Sequence, residues 1–453
     1  MIFDFFHKNS NQQSTPSNSL EERLNKHPQL KTRVEALLNL VENTENNIEN
    51  ASVAEQKVIS EVRQIGQEVL EDWAIQRAEQ IAEEFQKSHP NVTKHGQKKL
   101  HWHSTFGKIE LKEQLFLTEG KQQRPFSQRA SIHCRDYSIP LQRVITDFGA
   151  DNPFGKVDSK LKEHYGISLP TSSIQAITEK HASKMDENQD FFDEIPESGH
   201  VSQLIVETDG SLVPIVTTTD TSDTEETTDR RKNREVAWKE ARLCLAHPQG
   251  SCTPVFGGTI GTVQEMGSHL LDTTIKAGLN QHAKVHAVGD GAPWIVDQID
   301  DVFGTQANYL IDFYHLCEYL AAAAKVCDSE APKTWLTVQK ERMKNSLVQE
   351  VLNELEPFLE QKDILDEKAP VRCCYRYLKN RPGQFNYQAA IEADLPIGSG
   401  EIESAHRYII QERLKLSGAW WRIDHAKNML SLRLLRANNH WQEYWDNLML
   451  QAA

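Results

Sequence analysis

Residues 202–216 read SQLIVETDGSLVPIV and residues 284–291 read KVHAVGDG. Each is a short apolar, β-branched run that arrives at an Asp-Gly pair, the pattern of a buried strand giving way to a turn. Working outward, residues 235–247 (EVAWKEARLCLAH) and 255–263 (VFGGTIGTV) predict further strands, and 266–279 (MGSHLLDTTIKAGL) predicts a helix. Residues 292–303 (APWIVDQIDDVF) predict another helix, followed by a strand in 308–315 (NYLIDFYH) that ends near Asp312. From residue 201 the texture is therefore α/β. Asp209 and Gly210 are expected at the turn of a strand pair, and Asp290 at the end of its own strand.

Beyond this region, residues 316–390 read as helical throughout, and a Gly-Ser-Gly turn after Pro396 leads into long helices. Upstream, residues 1–19 are rich in Asn, Gln, Ser and Pro, a composition that favours disorder. Residues 20–85 carry a helical pattern, with Val58, Val62, Ile65, Val69 and Trp73 spaced as one apolar stripe. That stripe fits a helical hairpin packed on its own chain or a dimerising coiled coil. Pro90 closes the segment. Short strands follow at 94–121, and then helices at 137–185. Residues 154–184 (FGKVDSKLKEHYGISLPTSSIQAITEKHASK) have a helix-turn-helix pattern, with Pro170 and Thr171 opening the second helix.

With 453 residues the chain is long enough for two to four structural units. No stretch approaches the apolar length of a membrane span, and the N-terminus lacks the pattern of a signal peptide, so a cytoplasmic protein with no membrane partner is expected. Seven scattered cysteines without a C-x-x-C pair fit a reducing compartment and no structural zinc. His101, His103, His133 and Cys134 have no zinc-ligand spacing. The net charge of −15 argues against a polyanionic partner, but residues 401–436 carry seven Arg or Lys against four acids. A local basic face is compatible with that balance.

Phosphodiester cleavage by two hard divalent ions needs carboxylates converging on the ions. Adjacent strands lie about 5 Å apart, so acids at strand ends can meet. Asp209 and Asp290 qualify, and Glu403 opens a helix after the Gly-Ser-Gly turn. Singly, each acid is better explained as a turn, cap or helix-dipole residue, and it is the set, in this order and texture, that points to metal chemistry. Glu401 and Glu403 point about 200° apart on a helix, so only one can face the sheet. Glu403 is chosen because it shares a face with Arg407 and Gln411, while Glu401 is explained by the helix N-terminus.

The blocks VETDGSLVPIV, REVAWKEARLCLAH, HAVGDGAPWIVDQI, LIDFYHLCEYL and LPIGSGEIESAHRYIIQERLKLSGAWW resemble the signature blocks of ISKra-type bacterial insertion-sequence transposases. The likeness runs from about residue 106 to the C-terminus. It implies a DDE transposase with a ribonuclease-H-like fold, interrupted by a helical insertion between the second and third acids. Its triad would be Asp209, Asp290 and Glu403, holding two Mg²⁺ or Mn²⁺ ions. Asp312 and His315 match an accessory D-x-x-H element that orients the sheet end or contacts DNA. Where relatives carry a C-x-x-C ribbon, this chain has the single Cys134.

The expected architecture is multidomain α+β: a tail at 1–19, a helical region at 20–90 that is a candidate for oligomerisation, and a strand and helix-turn-helix region at 91–200. The catalytic domain follows at 201–315, with a helical insertion at 316–394 and its last part at 395–453. DNA contacts are expected from Arg407, Arg413, Lys415 and Arg422. Water would attack a phosphodiester at the element end, and the released 3′-hydroxyl would attack target DNA in a second in-line displacement. The expected partners are element ends, target DNA and further copies of the chain, with the enzyme at the nucleoid when bound. Two other readings stay open: a ribonuclease-H-like nuclease that never joins strands, and a retired transposase kept as a DNA-binding protein.

Overall fold

The computed structural model describes residues 19–42, 50–118, 120–218 and 234–452. The expected disordered tail, apart from Ser19, and the acidic loop beyond Thr218 lie outside them. The chain divides into two units. One gathers the residues up to Ile145, Phe154–Ile174 and the last few from Leu448, and the other gathers Thr146–Pro153 and Gln175–Asn447.

The first unit begins with helices α1 (Leu20–Leu24), α2 (Pro28–Glu42) and α3 (Ala51–Ser88). Ser19 and Glu22 close a reciprocal capping box on α1, and the Asn50 side chain caps α3. Helices α2 and α3 form the predicted hairpin, joined by Arg33 to Glu61 and Glu68 and by His27 to Asp72. The face that α3 buries is not the predicted stripe. Val58, Val62, Val69 and Trp73 stay 37%, 48%, 45% and 44% exposed. Ala74 and Ala78 pack inward instead, against Leu100, Trp102, Ile109 and Leu111 of a three-stranded sheet, because their small side chains let the helix lie close to it. That sheet is the antiparallel meander β1 (Thr93–Ser104), β2 (Gly107–Thr118) and β3 (Lys121–Gln123).

Three helices follow: α4 (Pro125–Arg129), α5 (Ile139–Asp151) and α6 (Phe154–Tyr165). With α7 (Thr171–Glu187), α6 gives the two helices predicted for the helix-turn-helix stretch. They divide between the units, α6 in the first and most of α7 in the second. The inward face of α7 is taken up within the second unit, where His181 bonds the Tyr444 hydroxyl at 2.8 Å and Glu179 meets His425 at 2.5 Å.

The second unit is built on β4 (Gln203–Thr218), β5 (Arg234–Pro248), β6 (Val255–Thr259), α8 (Val263–Lys276), β7 (Lys284–Gly289), α9 (Pro293–Phe303) and β8 (Ala307–Ile311). The sheet order is β6-β5-β4-β7-β8. Strands β4 to β6 are an antiparallel meander, and β7 and β8 run parallel to β4. Leu204, Val206, Cys244 and Ala246 point to one face and form a core with Met266, Leu270, Ile295 and Ile299 of α8 and α9. One expectation is corrected here. Asp209 and Gly210 make no turn, because β4 pairs with β5 without interruption from Leu204 opposite Pro248 to Thr218 opposite Arg234. The Asp-Gly pair lies inside one long strand.

The helical insertion comprises α10 (Phe313–Cys327), α11 (Pro332–Lys344), α12 (Val348–Leu355), α13 (Pro370–Lys379) and α14 (Tyr387–Glu392). It is less continuous than predicted, with only two short 3₁₀ turns between Leu355 and Pro370. Leu316, Leu320, Trp335, Val351, Cys374 and Tyr387 form its core together with Leu310 and Ile311 of β8. The chain ends with α15 (Gly400–Ala405), a π-helical turn (His406–Gln411), α16 (Glu412–Leu414), α17 (Ile423–Ala437) and α18 (Trp441–Ala452). Among the described residues no helix is long and apolar enough to cross a membrane.

The contrast between buried and exposed apolar positions gives a direct test. Leu204→Ala removes a fully buried side chain and should cost about 2–5 kcal/mol in urea denaturation, whereas Val62→Ala should stay within about 0.5 kcal/mol.

Candidate active site

Register places the first two acids. Glu207 on β4 pairs with Val288 on β7, the last but one residue of that strand. Asp209 and Asp290 lie two residues further along, just past the last β4–β7 pair: Asp290 follows the carboxyl end of β7, where open α/β sheets bind ligands, while β4 runs on through Asp209 paired with β5 alone. Asp290 sits in a tight turn. Its Oδ1 accepts the Ala292 N–H at 2.7 Å, and Gly291 has φ +84°, a conformation that favours glycine. The helical insertion braces this turn. The Tyr377 hydroxyl donates to the Asp290 carbonyl at 2.7 Å, and the Arg381 guanidinium donates to the Gly291 carbonyl at 3.1–3.2 Å. From β8, the Tyr309 hydroxyl accepts the Gly291 N–H at 3.0 Å.

The third acid arrives on a turn that is tied to the sheet at four points. His286 of β7 donates from Nε2 to the Pro396 carbonyl at 2.7 Å. The Phe313 N–H donates to the Ile397 carbonyl at 2.8 Å. Asp312 Oδ2 accepts both the Ser399 N–H, at 2.5 Å, and its hydroxyl, at 2.6 Å. Glu207 Oε2 accepts the Ile402 N–H at 2.8 Å. Thus held, α15 directs Glu401 toward His247, with Oε2 3.3 Å from Nε2, while Glu403 bears on Asp209.

Asp312 itself is buried, and its Oδ1 caps α10 by accepting the His315 N–H at 2.8 Å. Of its two expected roles, the orienting one fits these contacts. His315 joins that cap through its backbone, and its side chain lies against the Tyr319 and Tyr377 rings.

The electrostatics reflect the convergence. Burial, with the charges of Asp290, Glu403 and Glu240, raises the Asp209 carboxyl to about 6. Glu207 is raised to about 8, mainly by burial and further by Glu401 and Asp312. His406, buried beside Asp209 with Nε2 3.5 Å from Oδ2, is lowered to about 4 by burial and is therefore a neutral imidazole. Among the described residues no three His, Cys, Asp or Glu side chains already close on one point as ion ligands do. Asp209, Asp290 and Glu403 instead share one electrostatic neighbourhood, and their all-carboxylate chemistry fits a hard divalent cation.

The basic residues divide. Arg407 and Arg422 are exposed. Lys415 is exposed and donates to Ser211 Oγ at 3.1 Å, on the Asp209 face of β4. Arg413 is a correction: it is buried, donates to the Gly149 carbonyl at 3.1 Å and stacks over Trp421, so its guanidinium does not face solvent as a DNA contact would. The cause is the π-helical turn, which carries residue 413 inward. Arg433 holds that turn by donating to the Tyr408 and Ile409 carbonyls, and it is paired with Asp151 at 2.8 Å.

Sequence reasoning missed Glu207, His286, Tyr377, Arg381, His406 and Arg433. One signal was present for Glu207: an acid inside an otherwise apolar strand, two residues from Asp209 and so on the same face. The others depend on contacts between distant segments.

Two measurements check this arrangement. Below the ordinary value of 4.5, folded and unfolded chains both hold the Glu207 proton. Between 4.5 and about 8 only the folded chain keeps it, so this group lowers stability progressively across that window and no further above it. Glu207→Gln, which can still accept the Ile402 N–H, should therefore flatten the fall in stability between pH 5 and 8, as measured by urea denaturation. Arg433→Met should cost about 3 kcal/mol in the same assay, because it strands three carbonyls and a carboxylate.

The uncharacterised protein family UPF0236 matches residues 276–444, a stretch that includes Asp290, Asp312 and Glu403 and excludes Asp209. No curated protein matches the chain.

Proposed function

We propose that the chain is a DDE-type DNA transposase, with Asp209, Asp290 and Glu403 as its acids. The observation that carries this reading is that Asp209, Asp290 and Glu403, from three separate elements, lie near enough that the charges of the latter two add to the burial that raises the Asp209 carboxyl. The sheet supports it as well. The first acid lies on the central strand, the second ends the parallel neighbour, and helices intervene before the third. This is the arrangement that a ribonuclease-H-like domain with a helical insertion calls for.

Divalent ions held by the three acids would activate the attacking oxygen and stabilise the leaving oxygen. The chain's own residues supply position and charge. Tyr377 and Arg381 fix the Asp290 turn, and Glu207 and Asp312 fix the approach of Glu403. Arg407, Lys415 and Arg422 are exposed, and in this reading they would meet phosphates, a contact that needs no metal. The reading also includes assembly of several copies, for which the exposed Val58–Trp73 stripe of α3 is the available apolar face.

The test is a nicking and strand-joining assay on the element's end sequence, paired with a gel shift. Asp209→Asn, Asp290→Asn and Glu403→Gln should each lower cleavage by more than about 100-fold, beyond the 10–100-fold range of outer-shell changes, with end binding intact. Glu401→Gln should keep most activity. A chelator should stop cleavage and leave the shifted band. Cleavage without joined product would favour a plain nuclease, and binding without either would favour a retired transposase.

A further inference from the structure

The π-helical turn beside the acids leaves one polar side chain unaccounted for. His406 is 2% exposed, and neither ring nitrogen completes a hydrogen bond of normal geometry: the groups the ring approaches are the main-chain carbonyl and the carboxylate of Asp209. Buried polar atoms without partners are rare in native proteins, and each calls for an explanation. Nε2 faces Asp209, 3.5 Å from Oδ2, just beyond hydrogen-bond length.

The backbone is shaped to put the imidazole there. Ile402, His406, Ile410 and Leu414 are all buried, at successive steps of four. In a regular α-helix those three steps would drift by roughly 120° around the axis, turning the later residues outward. The wider turn over His406–Gln411 offsets the drift, and all four residues of the row are buried. An unbroken helix would save the cost of the distortion. Arg433 offsets part of that cost by donating to the Tyr408 and Ile409 carbonyls.

We infer that His406 is a positioning residue for Asp209: its ring N–H closes onto the Asp209 carboxylate when the acids gather a divalent ion, and fixes which oxygen faces that ion. This rests on the three-acid reading above. A donor at this place acts as outer-shell groups do at metal sites, setting ligand orientation without touching the metal. Lys415, which reaches the same strand face at Ser211, is exposed and solvated and cannot serve as that buried donor.

Mn²⁺ binding to the full-length protein, measured by isothermal titration calorimetry, separates the possibilities. His406→Phe fills the same space without a hydrogen bond and removes an unpartnered polar group. It should keep or raise the melting temperature while weakening Mn²⁺ binding about 10–100-fold. His406→Gln restores a donor and should recover affinity to within a few-fold of wild type. If the larger ring does not fold, His406→Leu takes its place in the comparison. Unchanged Mn²⁺ affinity in the Phe or Leu variant overturns the inference, and so does equal weakening in the Gln variant. Asp209→Asn is run alongside. If it binds Mn²⁺ as tightly as wild type, the three-acid reading fails, whatever the His406 variants do.

Discussion

Glu207 and Asp312 lie buried on either side of β7, and the turn from Pro396 to Ile402 hangs on them and on His286 between them. A carboxyl group taken out of water needs hydrogen bonds in place of its hydration, and here most of them come from backbone or hydroxyl groups of one turn. The dependence is mutual. The Ser399 and Ile402 N–H groups donate to these two carboxyls, so the sheet end and the C-terminal segment, about 195 residues apart in sequence for Glu207 and Ile402, are fixed as one piece. Glu403 follows from that attachment, since it lies one residue beyond Ile402.

The helical insertion belongs to the same construction. Its core takes in Leu310 and Ile311 of β8, so the helices continue the sheet's packing beyond its last strand. Through Tyr377 and Arg381 it also braces the Asp290 turn. Each acid thus has a different support: a long strand for Asp209, a braced turn for Asp290 and a tethered helix for Glu403. Burial of a carboxylate, and to a lesser degree the like charges near it, oppose folding, and both raise the Asp209 carboxyl. Rigid supports of this kind can hold acids together against that repulsion.

The C-terminal helices show a related division between structure and surface. Arg413 and Arg433 are drawn inside to satisfy backbone carbonyls and Asp151, while Arg407, Lys415 and Arg422 keep the solvent side. A basic count over this segment therefore overstates the charge available to a polyanion.

Much of the fold was legible in the sequence because periodicity is local. Strands β5 to β8, the helices between them and most of the helical stretch after β8 follow from runs of apolar residues and their punctuation. Asp209, Asp290 and Glu403 stood out in the sequence as candidates through their order and their neighbours. What periodicity could not decide was pairing. Asp-Gly at 209–210 reads as a turn, yet β5 pairs straight through it. The α3 stripe reads as a packing face, yet the sheet of the first unit takes the alanine face instead. Glu207, His406 and Arg433 look like ordinary charged or polar residues of a strand and two helices. Their burial is set by what lies opposite, and that is a property of register and of one wide helical turn, which only the tertiary structure supplies.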